Sequence, residues 1–149
     1  MGPPVKVTFF DIGDTLVKVP GMWLPGAKAL LSSLHLAGLR LGIISNTTDL
    51  PNRQAIIDLL PADFDLNLFE ASIVLFSSEV GKAKPNKDIF VEAVARALLP
   101  AAQCLYCSES ILETLVAQHA GMRSIRVQTA PNSDLASLQS TLARFNETT

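Results

Sequence analysis

Polar residues that could carry chemistry follow apolar segments at four places in the chain. These places are Asp11 to Thr15, Ser45-Asn46-Thr47, Lys84-Pro85 and Ser108-Glu109. Together they supply a carboxylate nucleophile, hydroxyl and amide groups, a cation and a second acid. Ligands of an open parallel sheet bind beyond the carboxyl ends of its strands, so we expect these side chains to meet at one edge. The combination predicts phosphoryl transfer.

Phosphoryl transfer explains why these residue types would occur together. An aspartate can attack phosphorus and form an aspartyl-phosphate, which divides one difficult displacement into two easier steps. The charge on the transferring group is neutralised by Mg²⁺, which prefers carboxylate and carbonyl oxygens plus water, and by a lysine acting as a point charge. Hydroxyl groups and backbone N–H groups at helix starts complete such a site. Asp11 and Lys84 are therefore the first candidates.

The elements that must position these residues alternate between β-type and helical patterns. Such alternation predicts βαβ units and a parallel sheet covered by helices, the α/β class. The predicted strands are Val5 to Phe10, Arg40 to Ile44, Ser72 to Phe76, Cys104 to Cys107 and Arg123 to Val127. The predicted helices are Pro25-Gly26 to about Leu36, a short one between Asp49 and Leu60 capped by Asp49 or Asn52, Asn86 to Leu98, Ser110 to His119 and Ser133 to Phe145.

Size and composition restrict the class of protein. The 149 residues are 48% hydrophobic with a mean hydropathy of +0.32, so we expect one domain over residues 1–149. The net charge of −2 with scattered Lys and Arg gives no nucleic-acid footprint. Each apolar segment is far shorter than the ~20 residues that span a bilayer. The start of the chain has no secretion-signal pattern, so we expect a cytoplasmic location.

Cys104 and Cys107 form a CxxC pattern that can indicate redox or metal chemistry. Both lie in a predicted strand, where residues three apart point to opposite faces of the sheet. We therefore expect ordinary buried thiols.

Four segments resemble, in order, the four motifs of the haloacid dehalogenase (HAD) superfamily. Phe9 to Leu16 resembles the first motif, an apolar strand that ends in DxDxT. Leu24 to Asn46 is similar to the helix and strand that lead into the second motif. Phe76 to Phe90 resembles the third, and Tyr106 to Met122 occupies the place of the fourth. Four ordered motifs are far more specific than one. The resemblance implies a doubly wound, HAD-like Rossmannoid sheet.

The resemblance also implies roles for individual residues. Asp11 would be the nucleophile of a Mg²⁺-dependent phosphatase or phosphotransferase. Ser45 and Lys84 would bind the transferring phosphoryl group, and Asn46 and Thr15 would support the site.

The implied metal site combines two motifs. Mg²⁺ would lie between the Asp11 carboxylate, the Gly13 carbonyl and an acid of the fourth motif, where Ser108-Glu109 replaces the usual Gly-Asp pair. Glu109 and Glu113 are both candidates for that acid, because residues four apart on a helix share a face. Glu113 could equally be a plain solvent-facing helix residue.

The main departure from the family pattern is Gly13, which stands where phosphatases of the family usually carry a second Asp. That Asp protonates the leaving oxygen. Asp14, one residue later, is a candidate substitute, although it could equally cap a turn. These changes motivate an alternative function, a catalytically impaired HAD-like module that binds or regulates.

The two chain segments where members of the family usually carry a cap domain are too short here to hold one. One lies between Thr15 and Pro25-Gly26, and the other lies between Asn46 and the third motif. Capless relatives act on large substrates such as phosphoproteins or nucleic-acid ends, or they cover the site by oligomerising. We therefore expect a phosphorylated small molecule or a phosphoprotein as partner, and a homo-oligomer is one way to cover the site. The order of the motifs argues against a receiver domain, and the missing cap argues against a dehalogenase.

Overall fold

The computed structural model describes residues 2–127. Its strands are β1 (Val7–Phe10), β2 (Val17–Lys18), β3 (Met22–Trp23), β4 (Arg40–Ser45), β5 (Val74–Phe76), β6 (Cys104–Ser108) and β7 (Arg123–Arg126). Its α-helices are α1 (Ala27–Leu36), α2 (Arg53–Ile57), α3 (Ser77–Val80), α4 (Lys87–Ala97) and α5 (Ile111–His119). Five strands form one parallel sheet in the order β5-β4-β1-β6-β7.

Strand β1 occupies the centre of the sheet, and all four of its residues are buried. A central parallel strand is covered by helices on both faces, which explains its continuous apolar sequence. The chain extends the sheet from β1 through β4 to β5, then returns to place β6 and β7 on the other side. The strand order therefore reverses at β1, and this is the position where doubly wound sheets bind ligands.

Two hydrophobic cores lie on the two faces of the sheet. Helix α1 contributes Leu30, Leu31 and Leu34 to the core that contains Phe10. On the opposite face, α4 and α5 contribute the residues that surround Phe9, among them Ile89, Phe90, Ala93 and Ala117. Successive residues of β1 thus join different cores, because side chains of a strand alternate between faces. This arrangement confirms the predicted doubly wound α/β architecture.

The predicted elements agree with the structure to within a few residues. All five strands of the sheet and the first four predicted helices are present. Asn52, not Asp49, caps α2, and its side chain accepts the N–H of Ala55. Asn86 and Ser110 cap the helices that follow them. The predicted helix from Ser133 to Phe145 lies outside the described residues.

The hairpin of β2 and β3 and the one-turn helix α3 were not predicted from the sequence. Two-residue strands are too short to show a period of two, so the pattern of residues could not indicate them. Within residues 2–127, this hairpin is the main structure between β1 and α1, and neither of the two cap positions holds an inserted domain. The capless prediction is thereby confirmed.

The two cysteines are free and fully buried, as predicted. They belong to different cores, Cys107 with α1 and Cys104 with α4. Burial raises the pKa of Cys104 to about 11 and raises that of Cys107 further. Neither thiol is therefore a reactive thiolate.

Among the described helices, none has both the length and the apolar character needed to cross a membrane.

Candidate active site

Asp11 is the first residue after the central strand, at the carboxyl edge of the sheet. It is nearly buried, with 8% of its surface exposed. Its Oδ1 atom accepts the backbone N–H of Ile12 at 2.9 Å, and its Oδ2 atom accepts the hydroxyl of Thr15 at 3.3 Å. The hydroxyl of Ser108 lies 3.4 Å from the same Oδ2 atom. These contacts fix the carboxylate in one orientation, as attack on a bound group requires.

Lys84 brings a positive charge directly to this carboxylate. Its side chain is 2% exposed, and its Nζ atom lies 2.9 Å from Asp11 Oδ1. The same Nζ lies 2.8 Å from Glu113 Oε1 and donates to the hydroxyl of Tyr106 at 3.0 Å. Burial raises the pKa of Asp11 above its usual value of 3.8, whereas Lys84 opposes that rise. The site therefore pairs a desolvated carboxylate with a desolvated cation.

Asn46 holds the backbone of Lys84 from the end of the neighbouring strand β4. Its Nδ2 atom donates to the Lys84 carbonyl at 2.8 Å, and its Oδ1 atom accepts the Lys84 N–H at 2.9 Å. Ser45, the last residue of β4, is also buried. Thr47 donates its N–H to the Ser77 hydroxyl at 2.7 Å, which ties the ends of β4 and β5 together. These hydrogen bonds thus hold the second and third motifs together.

Thr15 and Ser108 connect the first motif to the fourth. The Thr15 hydroxyl accepts the N–H of Glu109 at 3.1 Å, so it bridges Asp11 and the chain after β6. Ser108 accepts the N–H of Ser110 at 3.1 Å, where α5 begins. Both hydroxyls are completely buried. Their bonds fix the distance between β1 and the acids that follow β6.

The two acids of the fourth motif occupy different environments. Glu113 Oε1 accepts the Tyr106 hydroxyl at 2.6 Å and pairs with Lys84, so it is engaged with the cation. Burial, followed by the negative charges of Asp14, Asp11 and Glu113, raises the pKa of Glu109. Four carboxylates therefore act on one another at this edge of the sheet.

Gly13 and Asp14 form the tight turn that follows the nucleophile candidate. The N–H of Asp14 donates to the Val17 carbonyl at 2.8 Å, and Asp14 has a left-handed backbone with φ of 62°. Its side chain is 59% exposed and lies 3.6 Å from Lys18. The structure thus places Asp14 on the open side of the turn, paired with a solvent-exposed lysine.

The donor set at this edge fits Mg²⁺. Among residues 2–127, no three side chains of the His, Cys, Asp and Glu types form a metal-binding group. Mg²⁺ does not need one, because it keeps several waters and uses one or two carboxylates. Within the same residues, Lys84 is the one buried cation, whereas Asp11, Glu109 and Glu113 bring three carboxylates. The excess negative charge at the edge is what a divalent cation would neutralise.

Sequence reasoning did not identify Tyr106 as a site residue. The apolar pattern predicts Tyr106 as part of a buried strand, but its hydroxyl contacts both Lys84 and Glu113. The available signal was the polar group itself, because a buried tyrosine hydroxyl requires a partner. Because Tyr106 lies one residue before Cys107 and two before Ser108, its hydroxyl could be expected to find that partner among the site residues.

Comparison with known proteins gives a family match over most of the chain. A family model described as a haloacid dehalogenase-like hydrolase matches residues 10–121. The bifunctional riboflavin kinase/FMN phosphatase of Arabidopsis thaliana is 31% identical over 108 residues, which are 72% of this chain and 27% of that protein. Protein CbbY of Rhodobacter capsulatus is 31% identical over 105 residues, which are 68% of this chain and 44% of that protein. This chain spans less than half the length of both relatives.

A solved structure shows the same fold. A protein described as a predicted HAD-like family hydrolase from Porphyromonas gingivalis superposes with a TM-score of 0.72 and 15% identity. The superposition covers 95% of this chain and 99% of that one. At this level of identity the likeness concerns the arrangement of strands and helices.

Proposed function

Because the chain belongs to the haloacid dehalogenase-like hydrolase family, we propose that it is a Mg²⁺-dependent phosphatase that acts through an aspartyl-phosphate on Asp11. One observation carries this proposal more than any other. The Asp11 carboxylate lies at the end of the central strand, and a buried ammonium group lies 2.9 Å from its Oδ1 atom. A nucleophile beside a fixed cation is the arrangement that stabilises a transferring phosphoryl group.

In the proposed reaction, one oxygen of Asp11 attacks phosphorus while the bond from phosphorus to the leaving oxygen breaks. The positive charge of Lys84 stabilises the other phosphoryl oxygens and the Ser45 hydroxyl donates to them, while Asn46 keeps the Lys84 backbone in place. A water molecule then attacks phosphorus, which releases inorganic phosphate and regenerates the Asp11 carboxylate.

Asp11, the Gly13 carbonyl and Glu109 are the groups that would hold Mg²⁺. The metal supplies charge neutralisation for the incoming phosphate, whose negative charge adds to that of the carboxylates. We assign the acid of the fourth motif to Glu109, because Glu113 is already engaged with Lys84 and Tyr106. Glu113 would instead pair with the Lys84 ammonium.

The leaving group must take up a proton, and Gly13 has no side chain to supply it. Asp14 is the nearest candidate acid in the first motif, but its side chain is more than half exposed and paired with Lys18. We therefore propose that the enzyme favours substrates whose leaving groups are stable without a proton, such as acyl and aryl phosphates.

The substrate class follows from the open site. Because no cap domain lies over it within residues 2–127, the edge of the sheet is accessible to a phosphorylated small molecule or to a phosphorylated side chain of another protein. One of the curated relatives carries the name of an FMN phosphatase. We propose a phosphorylated substrate of either type, with a preference for acyl and aryl leaving groups.

Hydrolysis assays with purified protein test this function. Acyl, aryl and sugar phosphates are incubated with and without Mg²⁺, and phosphate release is compared with that of Asp11→Asn. The exposed Asp58→Asn is the matched control, since it makes the same change outside the site. We expect Mg²⁺-dependent hydrolysis by the wild type and the control. Equal rates of phosphate release by the wild type and Asp11→Asn would contradict the proposal.

A second candidate function is a catalytically impaired binding or regulatory module. Gly13, in place of an acid, and the engagement of Glu113 with Lys84 favour it. This alternative predicts weak binding of Mg²⁺ and of beryllofluoride, a phosphate mimic, which calorimetry measures. Tight binding of both by the wild type, lost in Asp11→Asn, would favour the phosphatase.

A further inference from the structure

Tyr106 is the one tyrosine of the chain, and it lies in the middle of β6 with no exposed surface. Its ring packs against Phe90 of α4 in an edge-to-face contact, with 5.0 Å between ring centroids and 79° between ring planes. This contact fixes the ring in the core that faces α4 and α5. The hydroxyl at the end of the ring reaches the carboxyl edge of the sheet.

The direction of both hydrogen bonds at the Tyr106 hydroxyl is determined. A phenol has one hydrogen, and the hydroxyl donates it to Glu113 Oε1 at 2.6 Å. The phenol oxygen therefore turns its lone pairs to Lys84, whose Nζ donates to it at 3.0 Å. Burial and the nearby carboxylates raise the pKa of Tyr106 well above 10, which keeps the hydroxyl protonated.

The Lys84 ammonium is saturated by this arrangement. An ammonium group has three donors. Asp11 Oδ1, Glu113 Oε1 and the Tyr106 hydroxyl lie 2.9, 2.8 and 3.0 Å from Nζ. Two of these partners are carboxylates, and the phenol oxygen is the neutral third acceptor. With all three in place, each ammonium proton has its own acceptor.

We propose that Tyr106 is a positioning residue whose hydroxyl, oriented by Glu113, holds the Lys84 ammonium beside Asp11. This inference rests on the proposed phosphatase function for its catalytic consequence, but not for its geometry. Phenylalanine would fill the same space in the core without a buried polar group to satisfy. The hydroxyl contributes through its contacts with Lys84 and Glu113.

The first experiment compares Tyr106→Phe with the wild type in steady-state hydrolysis of an aryl phosphate with Mg²⁺. We expect kcat to fall on the order of tenfold, since a hydrogen bond to a charged group is lost. KM should change little, because Tyr106 has no exposed surface that could contact a substrate. The matched control is Thr8→Val, which removes a buried hydroxyl of β1 that has no hydrogen-bond partner in the described part of the chain. A wild-type kcat in Tyr106→Phe would overturn the proposal.

The second experiment does not depend on activity. Heteronuclear NMR detects the Nζ–H signal of a lysine whose ammonium protons exchange slowly with water, and Lys84→Met assigns the signal of Lys84. We expect a slowly exchanging signal in the wild type and in Thr8→Val. In Tyr106→Phe, the exchange should be much faster or the signal lost. An unchanged Lys84 signal in Tyr106→Phe would overturn the positioning role.

The two experiments separate the possible failures. If the wild type hydrolyses no phosphate ester, the proposed function fails, and the NMR comparison alone decides the role of Tyr106. If Tyr106→Phe does not fold, incorporation of fluorotyrosine replaces it, because the chain has one tyrosine and no other position is labelled. Fluorine weakens the phenol as an acceptor, so Lys84 exchange should again be faster than in the wild type. Unchanged exchange would overturn the proposal.

Discussion

At the scale of single residues, the candidate nucleophile Asp11 is held in one orientation, whereas Gly13 leaves the first motif without the usual acid. The sequence predicts Asp11 and Lys84 as site residues, because a carboxylate after a buried strand and a lysine before proline are patterns that indicate a site. Their ion pair connects residues far apart in the chain. The role of Tyr106 was not predicted, since only the fold brings its hydroxyl to Lys84. Which fourth-motif acid pairs with the cation was likewise decided by side-chain direction.

Gly13 offers a direct test of the missing acid. A Cβ built on Gly13 meets no atom within 4 Å, and its φ lies outside the left-handed region, so a side chain fits there. We expect Gly13→Asp to raise kcat/KM for alkyl phosphates by about 100-fold, the lower range of general acid catalysis. Aryl phosphates should gain much less, because their leaving groups need no proton.

The control for this prediction is Gly13→Ala, which adds a side chain without an acid. Steady-state kinetics with paired alkyl and aryl substrates measures the difference. Equal gains for both variants, or for both substrates, would show that the acid at this position is not what limits the rate.

Asp11 is expected to reduce the stability of the protein at neutral pH. Burial, the largest cause, raises its pKa above 3.8 in the folded state. The folded protein thus binds this proton more tightly than the unfolded chain, so stability falls as the pH rises above 3.8. We therefore expect Asp11→Asn to raise Tm at neutral pH, and the gain should shrink as the pH falls towards 3.8.

Thermal unfolding followed by circular dichroism across this pH range measures the effect. The exposed Asp58→Asn serves as control and should leave Tm unchanged at every pH. A lower Tm for Asp11→Asn at neutral pH would show that the ion pair with Lys84 outweighs the cost of burial.

At the scale of helices and strands, the sequence predicts the longer elements but not the shortest ones. The strands of the sheet are apolar segments and the helices that cover it have a helical period, while the polar caps Asn52, Asn86 and Ser110 mark helix starts. The hairpin of β2 and β3 has two residues per strand and makes tertiary contacts, such as the N–H of Gly21 donating to the Leu59 carbonyl at 2.9 Å. No local pattern encodes such contacts.

Strand β4 contains a glycine that its packing requires. A Cβ on Gly42 would lie 2.6 Å from Phe9 Cδ1 and 2.9 Å from the Ile73 carbonyl oxygen. Phe9 is completely buried and cannot move away. We expect Gly42→Ala to reduce the free energy of unfolding by about 1–3 kcal/mol, the usual cost of overpacking. Urea denaturation measures this, with Gly13→Ala as the unhindered control. Equal stability of the two variants would contradict the close packing.

At the scale of the whole molecule, the order of strands creates the site. Because the strands are parallel and β4 and β6 flank β1, the chain segments after these three strands meet at the same edge and bring three motifs together. Lys84 enters from the segment before α4. The α/β class and the order of motifs were predictable from the sequence. The resemblance to a known family supplied the roles of single residues, and it depended on four motifs in order, not on any one of them.

The proposed mechanism requires that Asp11 becomes phosphorylated, and trapping the phosphorylated enzyme detects this step. The protein is incubated with Mg²⁺ and radiolabelled acetyl phosphate, quenched in acid, digested and mapped by mass spectrometry. We predict label on the peptide that contains Asp11 in the wild type and in Asp58→Asn, and none in Asp11→Asn. Label on another residue, or hydrolysis by the wild type that continues unchanged in Asp11→Asn, would contradict the account.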